Sequence, residues 1–457
     1  MNIAIITIGN RDIKLKNREF PNPLKECRKN GKYILNNYSD LKDAIELPII
    51  QPFWDVLNDR NEKINKLFLI ATDQEDERYR NTDSINYAKV IKKHFERENI
   101  DLQIIALKNN VNDFVFNYNF FQNYFSILSL EKIEKFYLLP VGGMPNINTP
   151  LILTSILALK EKVFQYYVDK EQRNARPVPF NHKFIEELEK EKIKPILEKF
   201  FFATVESLSS KDFIKKISNY AYHRLSFNLK EAKIIIDDLI LQYPNENLNL
   251  FSETITDIRN NLQAKIREIF FSAIVKIKQK QFADALTRLY NFTDNLLMGK
   301  VCEYYHLEYE TGKNFDKWWR KASKKIKMEY PDIENQLEPI NGNPADLNRP
   351  GIPLYSTLIK FKNKSDSVFE ISQPLLAISD MRNKSIAAHG FEGISLEKMN
   401  EILLKFELNL NDLIKETETY IGFRFEESCY YRIADKIRNV LDKHTYSDEV
   451  GPRRNYF

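Results

Sequence analysis

The first 170 residues alternate short apolar runs with longer stretches of helical periodicity. The apolar runs are continuous, and continuous runs of this length are typical of strands buried on both faces of a parallel sheet. We predict strands at residues 2–8, 66–72, 102–107, 135–141 and 163–168. Apolar positions with a helical period predict helices between these strands, at residues 84–98, 120–133 and 148–161.

Strand–helix alternation of this kind predicts a doubly wound, Rossmann-like sheet. Ligands of such sheets bind beyond the carboxyl ends of the strands. The loops at those ends read GNRD (9–12), TDQED (72–76) and GGMPNIN (142–148). Their glycines let backbone N–H groups approach a ligand, although a tight strand-to-helix turn without any ligand explains Gly142 and Gly143 equally well.

The periodicity changes after a polar, proline-bearing connector at 169–182, where the strand pattern stops. From about residue 183 onward, nearly all of the sequence has helical periodicity. We predict a break near 242–250, a long helix from about 252 to 280, another helix at 281–305 and a loop-rich insert at 329–353. The chain is therefore predicted to combine an α/β half with an all-α half.

Composition sets limits without naming a function. A chain of 457 residues predicts two or three domains. The formal charge of +4 allows a local patch for nucleic acid but does not require one. Three cysteines far apart in the sequence, with no CxxC, disfavour a zinc site or a disulfide framework and fit a reducing cytoplasm. No apolar stretch is long enough to span a bilayer, and the N-terminus lacks the features of a signal peptide.

Histidine is scarce, with six in the chain, and three of the six follow an arginine by six or seven residues. One of these pairs falls in the proline-bearing connector. Arg438 and His444 are six residues apart, so they lie well apart around a continuous helix, close to the C-terminal tail. Arg382 and His389 are seven residues apart, which is close to two helical turns and places them on one face. We therefore favour the pair in RNKSIAAHG (382–390).

An Arg–His pair beside Asn383 supplies the groups that metal-free RNA cleavage needs. Arginine binds phosphate bidentately, and histidine moves a proton near neutral pH. The 2′-hydroxyl of RNA is the nucleophile, which DNA lacks. A plain helix end explains the same residues, with a surface arginine and a histidine favoured by the helix dipole before the stop at Gly390. The spacing alone favours this plainer interpretation.

RNKSIAAHG resembles the active-site motif of the HEPN ribonucleases, in which an arginine, often followed by a polar residue, precedes a histidine by a short spacer. QFADALTRLYNFTDNLL (281–297) resembles the first long helix of that domain. In the N-terminal half, IGNRD and VGGMPNIN are similar to the two ligand loops of CARF domains. The whole chain resembles the CARF–HEPN ancillary ribonucleases of type III CRISPR systems. This implies a Rossmann-like CARF domain at 1–175, a helical connector at 176–260 and an α-helical HEPN domain at 261–457.

In that family, cyclic oligoadenylate binds the CARF domain, and single-stranded RNA is then cut in the HEPN domain of a homodimer. The resemblance implies that Arg382 binds the scissile phosphate, that His389 acts as acid or base, and that Asn383 orients one of these groups. It also implies 2′,3′-cyclic phosphate and 5′-hydroxyl ends, made without a metal or another cofactor. Cyclic tetra-adenylate is the favoured activator, with cyclic hexa-adenylate close behind.

The residues that the resemblance implies for cyclic oligoadenylate lie at three strand ends. They are Gly9, Asn10, Arg11, Asp12, Thr72, Asp73, Gln74, Gly142, Gly143, Met144, Pro145, Asn146 and Asn148. Many relatives carry threonine where this chain has Met144, so one hydroxyl contact is lost, and with it a basis for cleavage of the bound activator. Asn146 or Asn148 is the candidate to replace that contact.

Two other classes of protein fit part of the pattern. A non-catalytic nucleotide sensor fits the Rossmann-like half, but Arg382 and His389 are both present. A dinucleotide-dependent oxidoreductase is disfavoured because one glycine follows the first strand where GxGxxG requires several. The stretch DKWWRKASKKIKMEY (316–330) could stack two tryptophans on RNA, but a helix with a buried tryptophan and an exposed Lys/Arg face is favoured.

Overall fold

The computed structural model describes residues 1–16, 18–20, 22, 24–96, 100–128, 130–169, 174–309, 315–340, 342–381 and 393–442. The chain divides into two compact units, Met1–Leu188 and Glu189–Phe457. The finer division at residues 175 and 260 stays a prediction. RNKSIAAHG, His444 and the C-terminal tail lie outside the described residues.

The first unit is built on a six-stranded sheet with the order β5-β4-β1-β6-β7-β8. Strands β2 and β3 form a separate antiparallel pair. The strands are β1 Asn2–Thr7, β2 Lys14–Leu15, β3 Ile45–Glu46, β4 Lys66–Thr72, β5 Asp101–Leu107, β6 Lys135–Leu139, β7 Val163–Val168 and β8 Ala175–Val178. Strands β5, β4, β1, β6 and β7 are parallel. These are the five predicted strands, so that prediction is confirmed.

Helices cover both faces of this sheet. They are α1 Cys27–Asn36, α2 Tyr38–Leu41, α3 Ile50–Asp59, α4 Glu77–Arg80, α5 Ile85–Phe95, α6 Phe114–Ile127, α7 Pro145–Leu159 and α8 Phe180–Glu198, which runs across the boundary of the two units. Successive residues of β1 pack alternately into two separate apolar cores. Ala4 and Ile6 pack with α1, α3 and α5, whereas Ile3 and Ile5 pack with α6 and α7. A central strand buried on both faces explains why the sequence shows a continuous apolar run there.

The predicted connector at 169–182 contains a strand that was not among the predicted ones. Strand β8 lies inside the proline-bearing connector and pairs antiparallel with β7. The β8 residue Pro177 pairs with Tyr166, and a proline is tolerated because β8 is an edge strand. The two-residue strands β2 and β3 were not predicted, because two residues carry no periodicity.

Helices form the second unit in the part of the chain that the structure describes. They are α9 Phe202–Leu208, α10 Asp212–Leu225, α11 Leu229–Gln242, α12 Asn249–Asn260, α13 Leu262–Lys278, α14 Phe282–Tyr304, α15 Phe315–Glu329, α16 Ile333–Gln336, α17 Ile352–Lys362, α18 Val368–Ser379, α19 Leu396–Leu403, α20 Leu410–Ile421 and α21 Cys429–Asp442. One continuous apolar core joins them. None of the described helices is both long and apolar enough to cross a membrane.

The long helix predicted from about 252 to 280 is in fact two helices, so that prediction was wrong. The backbone leaves the helical region at Asn261, where φ is −125° and ψ is 122°. The Asn261 side chain accepts hydrogen bonds from the backbone N–H groups of Gln263 and Ala264, at 2.8 and 3.3 Å. Asparagine is among the preferred N-cap residues because its side chain satisfies these otherwise unpaired donors. The break predicted near 242–250 is present, between α11 and α12.

Candidate functional site

The candidate ligand site lies where the strand order of the sheet reverses. Strand β1 is flanked by β4 on one side and by β6 on the other, so the chain leaves the centre of the sheet in both directions. The loop after β1 contains Gly9 and Asp12, and the loop after β6 contains Gly142 and Gly143. The structure brings these two loops together at the carboxyl edge of the sheet. This switch point is where open α/β sheets bind their ligands.

Close backbone contact explains the glycines of both loops. A Cβ atom on Gly9 would lie 2.7 Å from the Gly143 nitrogen, and a Cβ atom on Gly142 would lie 2.6 Å from the Gly9 nitrogen. Gly143 has a φ of +78°, which is accessible to glycine at little cost. The Thr7 hydroxyl donates a hydrogen bond of 2.6 Å to the Gly142 carbonyl, which ties the end of β1 to this turn.

Asp12 holds the first loop from the inside of the protein. Its side chain is 1% exposed, and its Oδ2 atom accepts a hydrogen bond of 2.7 Å from the Gly9 N–H. Its Oδ1 atom accepts no hydrogen bond in the described part of the chain. Burial raises the pKa of Asp12 to about 7, against the opposing effect of the Gly9 N–H. Asp12 is therefore a carboxyl group that titrates near neutral pH at the centre of the switch point.

Asn148 and Asn146 hold the second loop. The Asn148 amide donates to the carbonyl of Gly142 at 2.8 Å and to that of Pro140 at 3.0 Å. The Asn146 amide donates to the Asn112 carbonyl at 2.6 Å. Both amide nitrogens are therefore engaged in shaping the loop, and the hypothesis that either residue replaces a missing threonine hydroxyl stays a prediction.

The remaining predicted residues of these loops differ in how far they are buried. Arg11 and Pro145 are exposed, and Pro145 is the first residue of α7. The Asn10 amide donates to the Leu24 carbonyl at 3.3 Å.

Met144 is the N-cap residue of α7, and its side chain accepts no capping hydrogen bond. This side chain packs against the apolar core that α6 and α7 form with the sheet. Pro145 has no N–H, and the N–H groups of Ile147 and Asn148 donate to the Met144 carbonyl at 2.9 and 3.0 Å. The first turn of α7 therefore keeps the Asn146 N–H, which no N-cap side chain satisfies, at the edge where a ligand would bind.

Thr72 is the last residue of β4, the strand beside β1, and Asp73 and Gln74 follow it and belong to an ionic cluster. The Arg28 guanidinium donates to Asp73 at 2.7 Å and to Asp83 at 3.1 Å. Gln74 donates to both carboxylate oxygens of Asp83, through its backbone N–H at 2.7 Å and its amide at 3.0 Å. Asp83 is completely buried. Asp73 and Gln74 are therefore held by Arg28 and Asp83, whereas the Thr72 N–H donates to the Ser84 hydroxyl and the Ser84 N–H donates to the Thr72 hydroxyl, each at 3.1 Å. None of these three partners was predicted as a site residue.

A cleft of about 830 Å³ opens beside this cluster, and sequence reasoning missed most of its wall. Its lining residues are Gln74, Asp76, Tyr79, Lys108, Asn109, Asn110, Val111, Asn112 and Asp113. Those from Lys108 onward follow β5, and they read KNNVND in the sequence. A polar run directly after a predicted strand is the same signal that identified GNRD, so the sequence could have indicated this wall as well.

The predicted nuclease residues Arg382, Asn383 and His389 lie outside the described residues, directly after α18 and Met381. Of the other helical pair, Arg438 is described, and it donates to Asp435 at 2.9 Å. Among the described residues, no three His, Cys, Asp or Glu side chains form a group that could hold a metal ion.

Comparisons with known proteins identify the fold. No family model and no curated protein matches the chain. Among solved structures, Enterococcus italicus Csm6 bound to cyclic hexa-2′-fluoro-hexa-dAMP matches with a TM-score of 0.58 and 14% sequence identity. The match covers 96% of this chain and 100% of the Csm6 chain. The chain has the Csm6 fold.

The Csm6 fold spans both compact units. It confirms the predicted fold class, in which an α/β unit with a Rossmann-like sheet precedes an all-α unit, and the assignment of CARF, connector and HEPN segments stays a prediction. At 14% identity, the likeness to Csm6 concerns the fold and not the roles of single residues.

Proposed function

We propose that this chain is a metal-independent endoribonuclease that cyclic oligoadenylate activates in type III CRISPR antiviral defence, in the cytoplasm. The observation that carries the proposal is the Csm6 fold over 96% of the chain. The motif RNKSIAAHG supports the nuclease half of the proposal. The two glycine loops at the switch point support the ligand half.

We place the activator at the carboxyl ends of β1 and β6. The exposed Arg11 supplies a cation for a phosphate, and the N-terminus of α7 supplies the Asn146 N–H and a favourable dipole. Asp12 and Asn148 act from the inside by holding the loops in shape. The cyclic hexameric ring in the Csm6 structure supports a ring of adenylates as the activator. Cyclic tetra-adenylate, which the motif favours, and cyclic hexa-adenylate are both candidates.

The cleavage chemistry rests on Arg382, Asn383 and His389. Arg382 binds the scissile phosphate and stabilises the charge that develops on it in the transition state. His389 transfers protons between the 2′-hydroxyl and the leaving oxygen. Asn383 orients one of these groups. The products are a 2′,3′-cyclic phosphate and a 5′-hydroxyl, and the motifs of two protomers form one composite site in a homodimer.

Activation requires that the ring binds the active arrangement of the nuclease half more tightly than the inactive one. We place the CARF domain at 1–175, the connector at 176–260 and the HEPN domain at 261–457. The connector then transmits the effect of ring binding from the CARF domain to the HEPN domain.

The test uses the full-length protein and a fluorogenic single-stranded RNA in EDTA, with no ring, with cyclic tetra-adenylate and with cyclic hexa-adenylate. We expect cleavage that needs one of the two rings and that is lost in His389→Ala. Arg438→Ala is the matched control, because Arg438 belongs to the other helical Arg–His pair, and it should retain cleavage. If the wild-type protein binds a ring but cleaves no RNA, the proposed enzymatic activity is contradicted and the alternative of a non-catalytic nucleotide sensor is favoured.

A further inference from the structure

Helix α15 concentrates the net charge of the chain. Its 15 residues contain six lysines and arginines but only Asp316 and Glu329 as carboxylates. The whole chain has 68 Lys and Arg against 64 Asp and Glu, so the rest of the chain is neutral and the net charge of +4 lies on this helix. A local excess of this kind is the electrostatic footprint of a surface that binds a polyanion.

The positive charges occupy one face of α15. Lys317, Arg320, Lys321 and Lys324 are exposed and recur at helical spacing, and we name these four residues the α15 stripe. The opposite face is buried and consists of Trp318, Trp319, Ala322, Ser323 and Ile326. Glu329 lies on another side of the helix, whereas Asp316 precedes Arg320 by four residues, a spacing at which side chains are neighbours.

Three members of the stripe have no anionic partner. Within the described part of the chain, Arg320, Lys321 and Lys324 form no ion pair, whereas Lys327, outside the stripe, pairs with Glu334 at 2.9 Å. Arg320 and Lys324 are four residues apart, and like charges at that spacing destabilise a helix. The Arg320/Lys324 pair therefore adds no stability to the helix, and these exposed charges are available for contact with something outside the chain.

Both tryptophans of this helix are buried, so neither is available to stack on bases or to insert into a membrane. The indole N–H of Trp319 donates to the Leu347 carbonyl at 2.7 Å, and that of Trp318 donates to the Glu308 carbonyl at 2.8 Å. Trp319 also packs against Tyr355 of α17, with ring centroids 5.5 Å apart. A basic helix that lies in a membrane inserts its apolar face, and here that face is already buried. What remains exposed on this helix is mainly cations, together with Phe315 and Met328, which are 38% and 85% exposed.

Helix α15 belongs to the same group of packed helices as α18, which precedes the proposed nuclease motif in the sequence. Helix α15 packs on α17 through Trp319 and Tyr355, and α17 packs on α14. Helix α14 also packs on α18, and α18 leads directly to Arg382. The stripe thus lies on the same group of packed helices as the segment that precedes the motif.

We infer that the α15 stripe binds the phosphate backbone of the single-stranded RNA substrate. This inference rests on the proposed function for the identity of the polyanion. The contacts are made by exposed lysines and an arginine to phosphates, so they carry no base preference and raise affinity for any sequence. Arg320 adds a bidentate phosphate contact.

The test compares the double variant Lys321→Glu/Lys324→Glu with Lys89→Glu/Lys92→Glu. The control pair has the same spacing and the same exposure, but it lies on α5 in the first unit. Binding of a 2′-O-methyl single-stranded RNA is measured by fluorescence anisotropy over a range of salt concentrations, and a gel verifies that the RNA stays intact. Thermal unfolding verifies that both variants fold.

The stripe variant should bind RNA about tenfold more weakly, and the slope of log K against log salt should fall in magnitude by about 1.4, since each lost phosphate contact of a single strand contributes about 0.7. The control variant should bind like the wild type. Equal losses in both variants, or no loss in the stripe variant, would overturn the inference. So would a loss of binding to phosphatidylserine vesicles with RNA binding unchanged, which would make the surface a membrane contact.

This readout is independent of cleavage. If the wild-type protein cuts no RNA with either ring but the stripe variant still loses RNA affinity, the proposed function fails and the stripe stands as an RNA-binding surface. If cleavage is confirmed and the stripe variant keeps both its RNA affinity and its KM, the proposed function stands and the inference that the stripe binds RNA is wrong.

Discussion

Gly142 packs closely against the end of β1 and the loop that follows it. The Thr7 carbonyl, the Asp12 carboxylate and the Gly9 N–H all surround the position that a Cβ atom would occupy, and the last two lie 2.5 and 2.6 Å from it. Backbone atoms cannot move aside as the end of a flexible side chain can. A side chain at residue 142 therefore has to separate the two loops, whether or not a ligand binds between them.

Gly142→Ala should lower the free energy of unfolding by about 1–3 kcal/mol, as overpacking of a well-packed site does. It should also abolish activation by the ring. Thermal unfolding and the RNA cleavage assay check the two effects. Gly299→Ala is the control, because a Cβ atom there meets only side-chain carbons of Ile266 and Leu262 at 3.5 Å, and its stability should not fall. Wild-type stability in Gly142→Ala would contradict the close approach of the two loops.

Asp12 makes the stability of the first unit depend on pH. Its pKa is about 7 in the folded protein, against 3.8 for an ordinary aspartate, so the folded state binds the extra proton between these values. Stability should therefore fall as pH rises from about 4 to about 7 and stay low above that range. Asp12→Asn should flatten this part of the profile and be no less stable than the wild type at pH 8. Identical Tm profiles from pH 4.5 to 8 in both proteins would contradict the buried carboxyl.

At the scale of elements, a buried ion pair joins α10 to α13. The Arg224 guanidinium donates to both carboxylate oxygens of Glu268, each at 2.7 Å, and the two side chains are 2% and 6% exposed. Tyr430 of α21 donates to Glu268 at 2.7 Å, and Arg224 donates to the Tyr220 hydroxyl at 2.8 Å. Helix α10 belongs to the predicted connector, whereas α13 and α21 belong to the predicted HEPN domain. This network therefore links the two segments within one compact unit.

Glu268→Ala should destabilise the second unit by about 3–5 kcal/mol, because it leaves the Arg224 charge buried without a partner. The expected fall in Tm is about 6 °C or more for a unit of this size. Calorimetry measures the shift. Asp435→Ala is the matched control, since it removes the carboxylate of the largely exposed pair with Arg438 and should cost about 0.5 kcal/mol or less. A Tm shift no larger than that of the control would contradict the network.

At the scale of the whole molecule, the proposed function couples a ligand in the first unit to chemistry in the second. A ring that binds only the folded protein stabilises it by about 2.7 kcal/mol when its concentration is 100 times Kd. Because the coupling is reciprocal, bound RNA should tighten ring binding by the same factor by which the ring tightens RNA binding.

His389→Ala should separate binding from cleavage. We expect the ring to raise the Tm of this variant as much as that of the wild type, because the ring site and His389 lie in different parts of the chain. Cleavage should fall to background. Differential scanning fluorimetry with both rings checks the first expectation. Loss of the Tm shift in His389→Ala would place His389 in the ring site or in the fold, and not in the chemistry.

Local pattern by itself determined the type of most elements in this protein. The five parallel strands follow from continuous apolar runs, and the loops GNRD and GGMPNIN follow from their position after two of those strands. Strand and helix periods depend on neighbours a few residues away, so they can be seen in one sequence. The helix break at Asn261 is also a local signal, because asparagine is a strong N-cap, but the apolar period continues across it and obscured it.

Only the tertiary structure decided which of these elements meet. Thr7 and Gly142 are 135 residues apart in the sequence, yet a hydrogen bond joins them because β1 and β6 are neighbours in the sheet. The raised pKa of Asp12 and the pairing of Arg224 with Glu268 both depend on burial, which packing creates from distant segments. The same holds for β8, which becomes a strand by pairing with β7. Periodicity is a local property of the chain, whereas desolvation and long-range pairing belong to the folded molecule.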